Sequence, residues 1–503
     1  MATPSDTARF DAAEADPSLS REDAKPLIAE LRSALLKAQY ARLSKADRSL
    51  LVVIAGIDGA GKGATINLIN EWMDPRHIRT LAFGPPSAEE REYPFLWRYW
   101  RHLPAKGSTG IVFGSWYAPL FEVLAGKNPK RGEVERLAAS IRDFEALLAR
   151  DGVQVIKLWY HLSRDAQKKR CTKLAKNPET AWMVRPEDLR VAREYKRLRK
   201  AGATMLALTD TPLAPWQVIP SADEDMRAVS TGTAILEALR AAPYRPSADP
   251  HPPAVPAPAS YRYARRPRPL SLVDHSLRLS ENEYDDQLAH WRGRLARQVR
   301  SKAFDRLPVV LVFEGRDAAG KGSTIRRITH VLDARQFRAV PISAPTSDEL
   351  ARPYLWRFWR ELPRPGNITI FDRSWYGRVL VERVEKFAKP HEWRRAYEEI
   401  NQFERQLGES GILVMKFWLD ITKEIQLERF HDRERSPFKS FKITPEDWRN
   451  REQWPAYTSA VNEMLDLTNT TCAPWHVIPS DDKRYARVTV LEKLVTAIDG
   501  RLS

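Results

Sequence analysis

A chain of 503 residues, 43% hydrophobic and 29% charged, has the make-up of a globular protein with room for two to four separately cored domains. Its two cysteines, Cys171 and Cys472, sit in no C-x-x-C spacing, which excludes a disulfide framework or a cysteine-ligated zinc and suits a reducing compartment. Lys+Arg exceed Asp+Glu by 81 to 65, and the resulting +16 asks for a polyanionic partner, either nucleic acid or another phosphate polymer.

Taken in order, the chain opens on the polar stretch "MATPSDTARFDAAEADPSLS". It has no apolar run, so no secretory signal is expected, and residues 1–25 are expected to be disordered. Later apolar runs such as "SLLVVIAGI" are too short to cross a bilayer, and a cytoplasmic protein with no membrane partner is expected. A first domain, 26–240, carries the glycine-rich loop "VIAGIDGAGKGATINL" at 53–68, then "PFLWRYWRHLP" at 94–104 and Ser115-Trp116-Tyr117. Residues 241–270 form a linker whose prolines and arginines favour an extended chain.

A second domain, 271–503, repeats these landmarks at a constant offset: Lys321 follows Lys62 by 259 residues. The same step leads to "PYLWRFWRELP" at 353–363, identical to its counterpart in eight of eleven residues, and to Ser374-Trp375-Tyr376. The chain is therefore a tandem duplication, with a period far too long for a solenoid. In the second repeat the runs "PVVLVFEG", "FRAVPIS", "NITIFD", "GILVMKFWLD" and "PWHVIPS" predict strands. Helices are predicted to begin at Gly322 and near Glu349, Gly377, Glu392 and Lys423. Such alternation implies an α/β fold, a parallel sheet with helices on both faces.

The stretch "VFEGRDAAGKGSTIRR", 312–327, sets the chemistry. Glycines let backbone N–H groups turn toward an anion, and the following helix adds the positive end of its dipole. Gly315, Ala318, Ala319, Gly320 and Gly322 shape this loop, Lys321 brings a mobile cation, and Ser323 or Thr324 offers a hydroxyl to Mg²⁺ or phosphate. Asp317 would repel phosphate unless it binds Mg²⁺ or orients the phosphoryl acceptor. Asp372 in "ITIFDRSWYGR" ends a strand, from where an acid reaches a phosphate-bound metal, and Arg373 beside it can grip a phosphoryl oxygen. A third cluster, "LERFHDRERSPFKSFKITPED" at 427–447, is expected to be a mobile basic segment folding over the phosphates, with Arg429, Arg433, Arg435, Lys439 and Lys442.

The first repeat keeps Asp58, Gly61, Lys62 and Thr65 but has Phe113 and Gly114 where the second has Asp372 and Arg373. Leu174, Thr180 and Met183 face Arg433, Lys439 and Lys442, and Leu124 faces Arg383. The scaffold is retained while the metal acid and most of the cations are gone, so only the second repeat is expected to be catalytic.

"GRDAAGKGSTI", "YLWRFWRELP", "FDRSWYGRVLVERV" and "SPFKSFKITPEDW" resemble the polyphosphate kinase 2 family, over 275–500 well and over 30–240 weakly. The tandem arrangement resembles its two-domain members. The resemblance implies a P-loop kinase-like three-layer α/β/α fold, duplicated, that uses inorganic polyphosphate with Mg²⁺ to phosphorylate a nucleotide, here AMP giving ADP. It implies Gly315, Asp317, Gly320, Lys321, Gly322 and Ser323 as the Walker A residues, Asp372 and Arg373 as the Walker B pair, and Arg433, Lys439 and Lys442 as lid cations. A lid tryptophan usual in the family is Phe441 here. The residues alone reach an Mg²⁺-dependent P-loop phosphotransferase. An ATP-dependent nucleoside or nucleotide kinase, or a basic nucleic-acid-binding regulator with a vestigial loop, stays open beside it, as does homo-oligomerisation.

Overall fold

The computed structural model describes residues 8–181, 184, 186–242, 270–437 and 443–502, with backbone alone over 186–193. The chain forms two compact units, each built around a five-stranded, all-parallel sheet. In the first, β1 (Ser49–Gly56), β2 (Ile78–Ala82), β3 (Thr109–Phe113), β4 (Val153–His161) and β5 (Trp216–Pro220) lie in the order β2-β3-β1-β4-β5. In the second, β6 (Val309–Gly315), β7 (Phe337–Pro341), β8 (Ile368–Asp372), β9 (Leu413–Asp420) and β10 (Trp475–Pro479) repeat it as β7-β8-β6-β9-β10. Both are three-layer α/β/α folds of the P-loop kinase kind.

The helices that matter for the site are, in the first unit, α1 (Arg21–Lys45), α2 (Lys62–Trp72), α3 (Arg131–Arg150), α4 (Arg164–Lys176), α5 (Pro186–Thr209) and α6 (Glu224–Arg240). In the second they are α7 (Glu281–Gln298), α8 (Lys321–Thr329), α9 (Pro390–Glu409), α10 (Lys423–Arg435), α11 (Pro445–Glu452), α12 (Trp454–Thr468) and α13 (Lys483–Leu502). Every strand predicted in the second repeat forms. The helix starts expected at Gly322, Glu349, Gly377, Glu392 and Lys423 appear as α8, a short helix Ser347–Leu350, a 3-10 turn Trp375–Arg378, α9 and α10.

Central strand β6 is apolar without alternation because both of its faces are covered; Val309 to Phe313 have no solvent exposure. Val309, Leu311 and Phe313 pack with Leu295 of α7, Ile325 and Ile328 of α8, and Val490, Leu491 and Leu494 of α13. On β9 a fully buried Lys416 donates to Glu404 of α9 at 2.7 Å, to the Thr468 carbonyl at 2.7 Å and to the Tyr376 hydroxyl at 2.8 Å. The first unit builds the same cluster from Lys157, Glu145, Thr209 and Tyr117. Desolvation of the ammonium pushes both lysines below their ordinary pKa, with the partner carboxylate opposing it.

One expectation is corrected. Residues 8–25, within the stretch expected to be disordered, contain a short helix Asp11–Glu14 and the start of α1, whose first turn is capped by Ser20. Phe10 is fully buried and stacks on His161 with ring centroids 4.0 Å apart, and Glu14 accepts from Arg199 at 2.7 Å. A single aromatic and one acid in a polar stretch carry no local order; their partners lie some 150 to 185 residues away. Of the expected linker, 243–269 lie outside the described residues. No described helix is long and apolar enough to cross a membrane.

Candidate functional site

The phosphate loop of the second unit begins where β6 must pass close to β9. A Cβ on Gly315 would sit 2.5 Å from the Leu419 carbonyl oxygen, so only glycine fits. The loop carbonyls are then pinned from behind. Gln426 donates to the Asp317 carbonyl at 3.0 Å, Arg429 to that of Ala318 at 2.9 Å, and Ser480 to that of Ala319 at 2.6 Å. The Ala319 N–H closes the turn on the Arg316 carbonyl at 3.1 Å and those of Ser323 and Thr324 bond the Gly320 carbonyl, so an anion would be met by other loop amides and the first N–H groups of α8. Ala318 pays for this with φ +64, a left-handed conformation costing a non-glycine about 1–2 kcal/mol. Lys321, first residue of α8, has its ammonium on the Gly315 carbonyl at 2.7 Å, and the Ser323 and Thr324 hydroxyls rest on the Gly320 carbonyl.

Pairing of β8 with β6 sets Asp372 opposite Phe313, so its carboxylate stands beside the loop. Its Oδ2 lies 4.0 Å from the place a Cβ on Gly322 would take, so the additional glycine after the lysine keeps the first turn of α8 bare beneath the acid. Arg373 has φ +64 and donates to Asp317 Oδ1 at 3.1 Å. This turn is fixed from below. Ser374 Oγ donates to Glu314 at 2.8 Å, while Trp375 Nε1 and the Tyr376 hydroxyl both donate to Glu404. Burial pushes the Glu314 carboxyl above its ordinary pKa, with Ser374, Lys321 and Arg373 opposing.

Residues absent from the sequence-based set complete the site. Asn450 of α11 donates to Asp317 Oδ2 at 2.8 Å and accepts from the Tyr457 hydroxyl at 3.0 Å. Asp317 thus has a donor on each oxygen. Arg316 lies over the Trp454 ring at 3.7 Å and donates to Thr458 at 2.8 Å. With Leu380, Val381 and Trp418, these side chains line a cleft that opens on Asp317 and Arg373.

Residues 18–245 and 278–503 match the family model for polyphosphate kinase 2. A protein from Pseudomonas aeruginosa named polyphosphate:AMP phosphotransferase is 45% identical over 98% of this chain and 99% of its own length. One of the same name from Acinetobacter johnsonii is 39% identical over 93% and 95%. A crystal structure of a polyphosphate kinase 2 from Pseudomonas aeruginosa superposes with a TM-score of 0.87 at 43% identity, covering 98% of this chain and 99% of that one. The chain belongs to the polyphosphate kinase 2 family. It is accordingly an enzyme, a phosphotransferase.

Of the residues expected in this family's site, Gly315, Asp317, Ala318, Ala319, Gly320, Lys321, Gly322, Ser323, Thr324, Asp372 and Arg373 come together around the loop. Arg433 sits in the last turn of α10, close enough to Arg429 to oppose its charge. Lys439 and Lys442 lie outside the described residues. Arg429 is a correction: expected in a mobile segment, it is buried on α10 and holds the carbonyls of Ala318, Ser480 and Asp481. The cap at Thr422 starts α10 early enough to put Gln426 and Arg429, three residues apart, on the face behind the loop. Burial takes the Arg429 guanidinium down to a pKa of about 10.

The first unit keeps part of this support, Gln167 donating to the Asp58 carbonyl at 2.7 Å as Gln426 does to that of Asp317. It has Gly114 and Val191 at the positions of Arg373 and Asn450, and Asp58 meets the Lys62 ammonium at 2.8 Å. Arg316, Trp454 and Tyr457 correspond to Ile57, Tyr195 and Leu198. The offset of 259 that separates Asp372 from Phe113 also separates these cleft residues from their counterparts, and is the sequence signal that marks them.

Proposed function

We propose that the chain transfers a terminal phosphoryl group from inorganic polyphosphate to AMP, giving ADP, with Mg²⁺, and that the second unit does so. The names of its full-length relatives support the substrates. One observation supports the location. In the second unit Arg373 and Asn450 hold Asp317 away from Lys321, whereas in the first the equivalent lysine is consumed by Asp58.

The loop amides and Lys321 hold the transferring phosphate. An AMP phosphate oxygen forms the new P–O bond as the bond to the polymer's leaving oxygen breaks, and the electron pair goes to that oxygen. Arg373 and Arg433 stabilise the equatorial oxygens, where charge spreads in the transition state. AMP sits in the cleft of Leu380, Val381, Trp418 and Trp454, its phosphate toward Arg373 and Asp317. Among the described residues no cluster of three or more His, Cys, Asp or Glu side chains forms a cage for a metal. Mg²⁺ needs none, being held by one or two carboxylates plus substrate phosphates, so Asp372, with Asp317 and the Ser323 hydroxyl nearby, is a fitting donor set. The ion, when bound, neutralises phosphate charge. Lys439 and Lys442 belong to the same proposal as lid cations.

Purified protein with Mg²⁺, long-chain polyphosphate and AMP is expected to yield ADP, and rising salt to raise the KM for polymer. No ADP across a range of Mg²⁺ sinks the reading. ADP formed from AMP with ATP but not polyphosphate makes it an ATP-dependent kinase. Tight, salt-dependent RNA or DNA binding without transfer makes it a nucleic-acid regulator.

A further inference from the structure

Away from the phosphate loop, three arginines from three helices come together near Tyr284. Tyr284 of α7 is buried, and its hydroxyl accepts from Arg487 of α13 at 3.5 Å, with Arg327 of α8 near enough to act on its titration. Arg292, two turns further along α7, donates through Nε to the Arg327 carbonyl at 3.2 Å. Among the described residues none of these arginines has a carboxylate partner; Glu281, at the start of α7, is taken by Arg484 at 3.1 Å. The Nε of Arg487 is buried without a hydrogen-bond partner. Burial alone would raise the Tyr284 pKa, yet the guanidinium groups of Arg327 and Arg487 hold it below its ordinary value. For Arg292, burial and the neighbouring Arg327 both work against its charge. Like charges brought together at such cost ask for an anion between them.

The first unit is an internal control. Counted from the helix caps Ser20 and Ser280, Tyr284 corresponds to Ala24 and Arg292 to Arg32. At the offset of 259, Arg327 and Arg487 correspond to Leu68 and Ala228. The one arginine remaining there, Arg32, is bridged by Glu71 at 3.4 Å, and the second unit has His330 in place of that acid. Only the second unit has added cations and removed the counter-charge.

We propose that Tyr284, Arg292, Arg327 and Arg487 form a second phosphate seat in the second unit, occupied by phosphates of the donor polymer remote from its reacting end. This rests on the polyphosphate reading above. Arg327 lies six residues along α8 from Lys321, about 9 Å at the helical rise. A long donor reaches both places and a very short one only the first. The seat therefore sets chain-length preference, adding contacts to long polymers without touching the reacting phosphate.

The test compares the full-length protein with its Arg327→Gln/Arg487→Gln variant. Steady-state rates are measured with AMP and either long-chain polyphosphate or tripolyphosphate, and equilibrium binding of long polymer is measured against salt. The variant is expected to raise the KM for long polymer about tenfold, leave its kcat within about twofold, and leave tripolyphosphate kinetics within about twofold. The salt dependence of binding should become shallower by about one power per lost phosphate contact. Equal KM changes for both donors, or none for either, overturn the proposal. Orthophosphate titrated alone separates the sources. If it binds wild type at low millimolar concentration, is lost in the variant and leaves long-polymer KM unmoved, the seat takes a small anion and the polymer assignment is wrong. Arg487→Lys keeps the charge; if the double variant does not fold, the single Arg327→Gln measured against Arg487→Lys decides the same question. Failure of wild type to make ADP would sink the substrate reading, while polymer binding still decides the seat.

Discussion

Asp317 and Asp58 are the same residue at the same place in the same loop, and their surroundings give them opposite uses. Arg373 and Asn450 occupy the two oxygens of Asp317, so Lys321 rests on the backbone carbonyls of Gly315 and Arg316 and stays available to an anion. Asp58, with glycine and valine at the positions of Arg373 and Asn450, meets the Lys62 ammonium at 2.8 Å. Charge-assisted hydrogen bonds of this kind are worth roughly 1.5–3 kcal/mol each, enough to decide which way a half-exposed carboxylate turns. Asp372 has no counterpart at all, since Phe113 ends β3. Asp372→Asn keeps the size of the side chain and removes its charge. Turnover of AMP with polyphosphate is expected to fall at least about a hundredfold, with thermal unfolding little changed. Steady-state rates over an Mg²⁺ titration check this, and a near-normal kcat with an unaltered Mg²⁺ requirement would reduce Asp372 to a turn residue.

The elements hold these residues through a polar cluster that both repeats retain. Trp375 and Tyr376 hang from Glu404 of α9, which is held in turn by Lys416 of β9; in the first unit Trp116 and Tyr117 hang from Glu145, held by Lys157. Because the cluster survives where Asp372 and Arg373 are absent, its work is to place a turn. Removing one partner strands a buried charge. Glu404→Ala and Glu145→Ala are each expected to destabilise their unit by about 3–5 kcal/mol in urea unfolding. Glu404→Ala should also lower kcat under conditions where the protein is still folded, since the turn carrying Arg373 loses its anchor, while Glu145→Ala should change kcat little. Costs below about 1 kcal/mol for both would show that apolar packing of Trp116 and Trp375 alone holds the turns.

For the whole molecule, the duplication predicts an asymmetry between two lysines. Lys321→Ala is expected to abolish turnover, and Lys62→Ala to leave a substantial fraction of it; equal losses in two folded variants would mean two working sites or a composite one. Much of this was legible without coordinates. The offset of 259, the five apolar runs of the second repeat, the start of α8 and the loop residues are written locally, in side-chain periodicity and in glycines at positions such as Gly315 and Gly320 where the backbone leaves ordinary space. Comparing the repeats separated Asp372 from Phe113 for the same reason, since identity at one position needs no fold. What stayed hidden depends on which distant segments the sheet order brings together. Asn450 reaches Asp317 across 133 residues, Arg429 reaches Ala318 across 111, and Phe10 finds His161 through no local pattern. A basic stretch read in isolation cannot show that one of its arginines faces inward on a helix behind the loop. The sequence by itself determined two P-loop folds, one stripped of its acid. The tertiary structure decided what each charge pairs with, because the pairing of a carboxylate is set by whichever donors the parallel strand order carries to within hydrogen-bond distance of it.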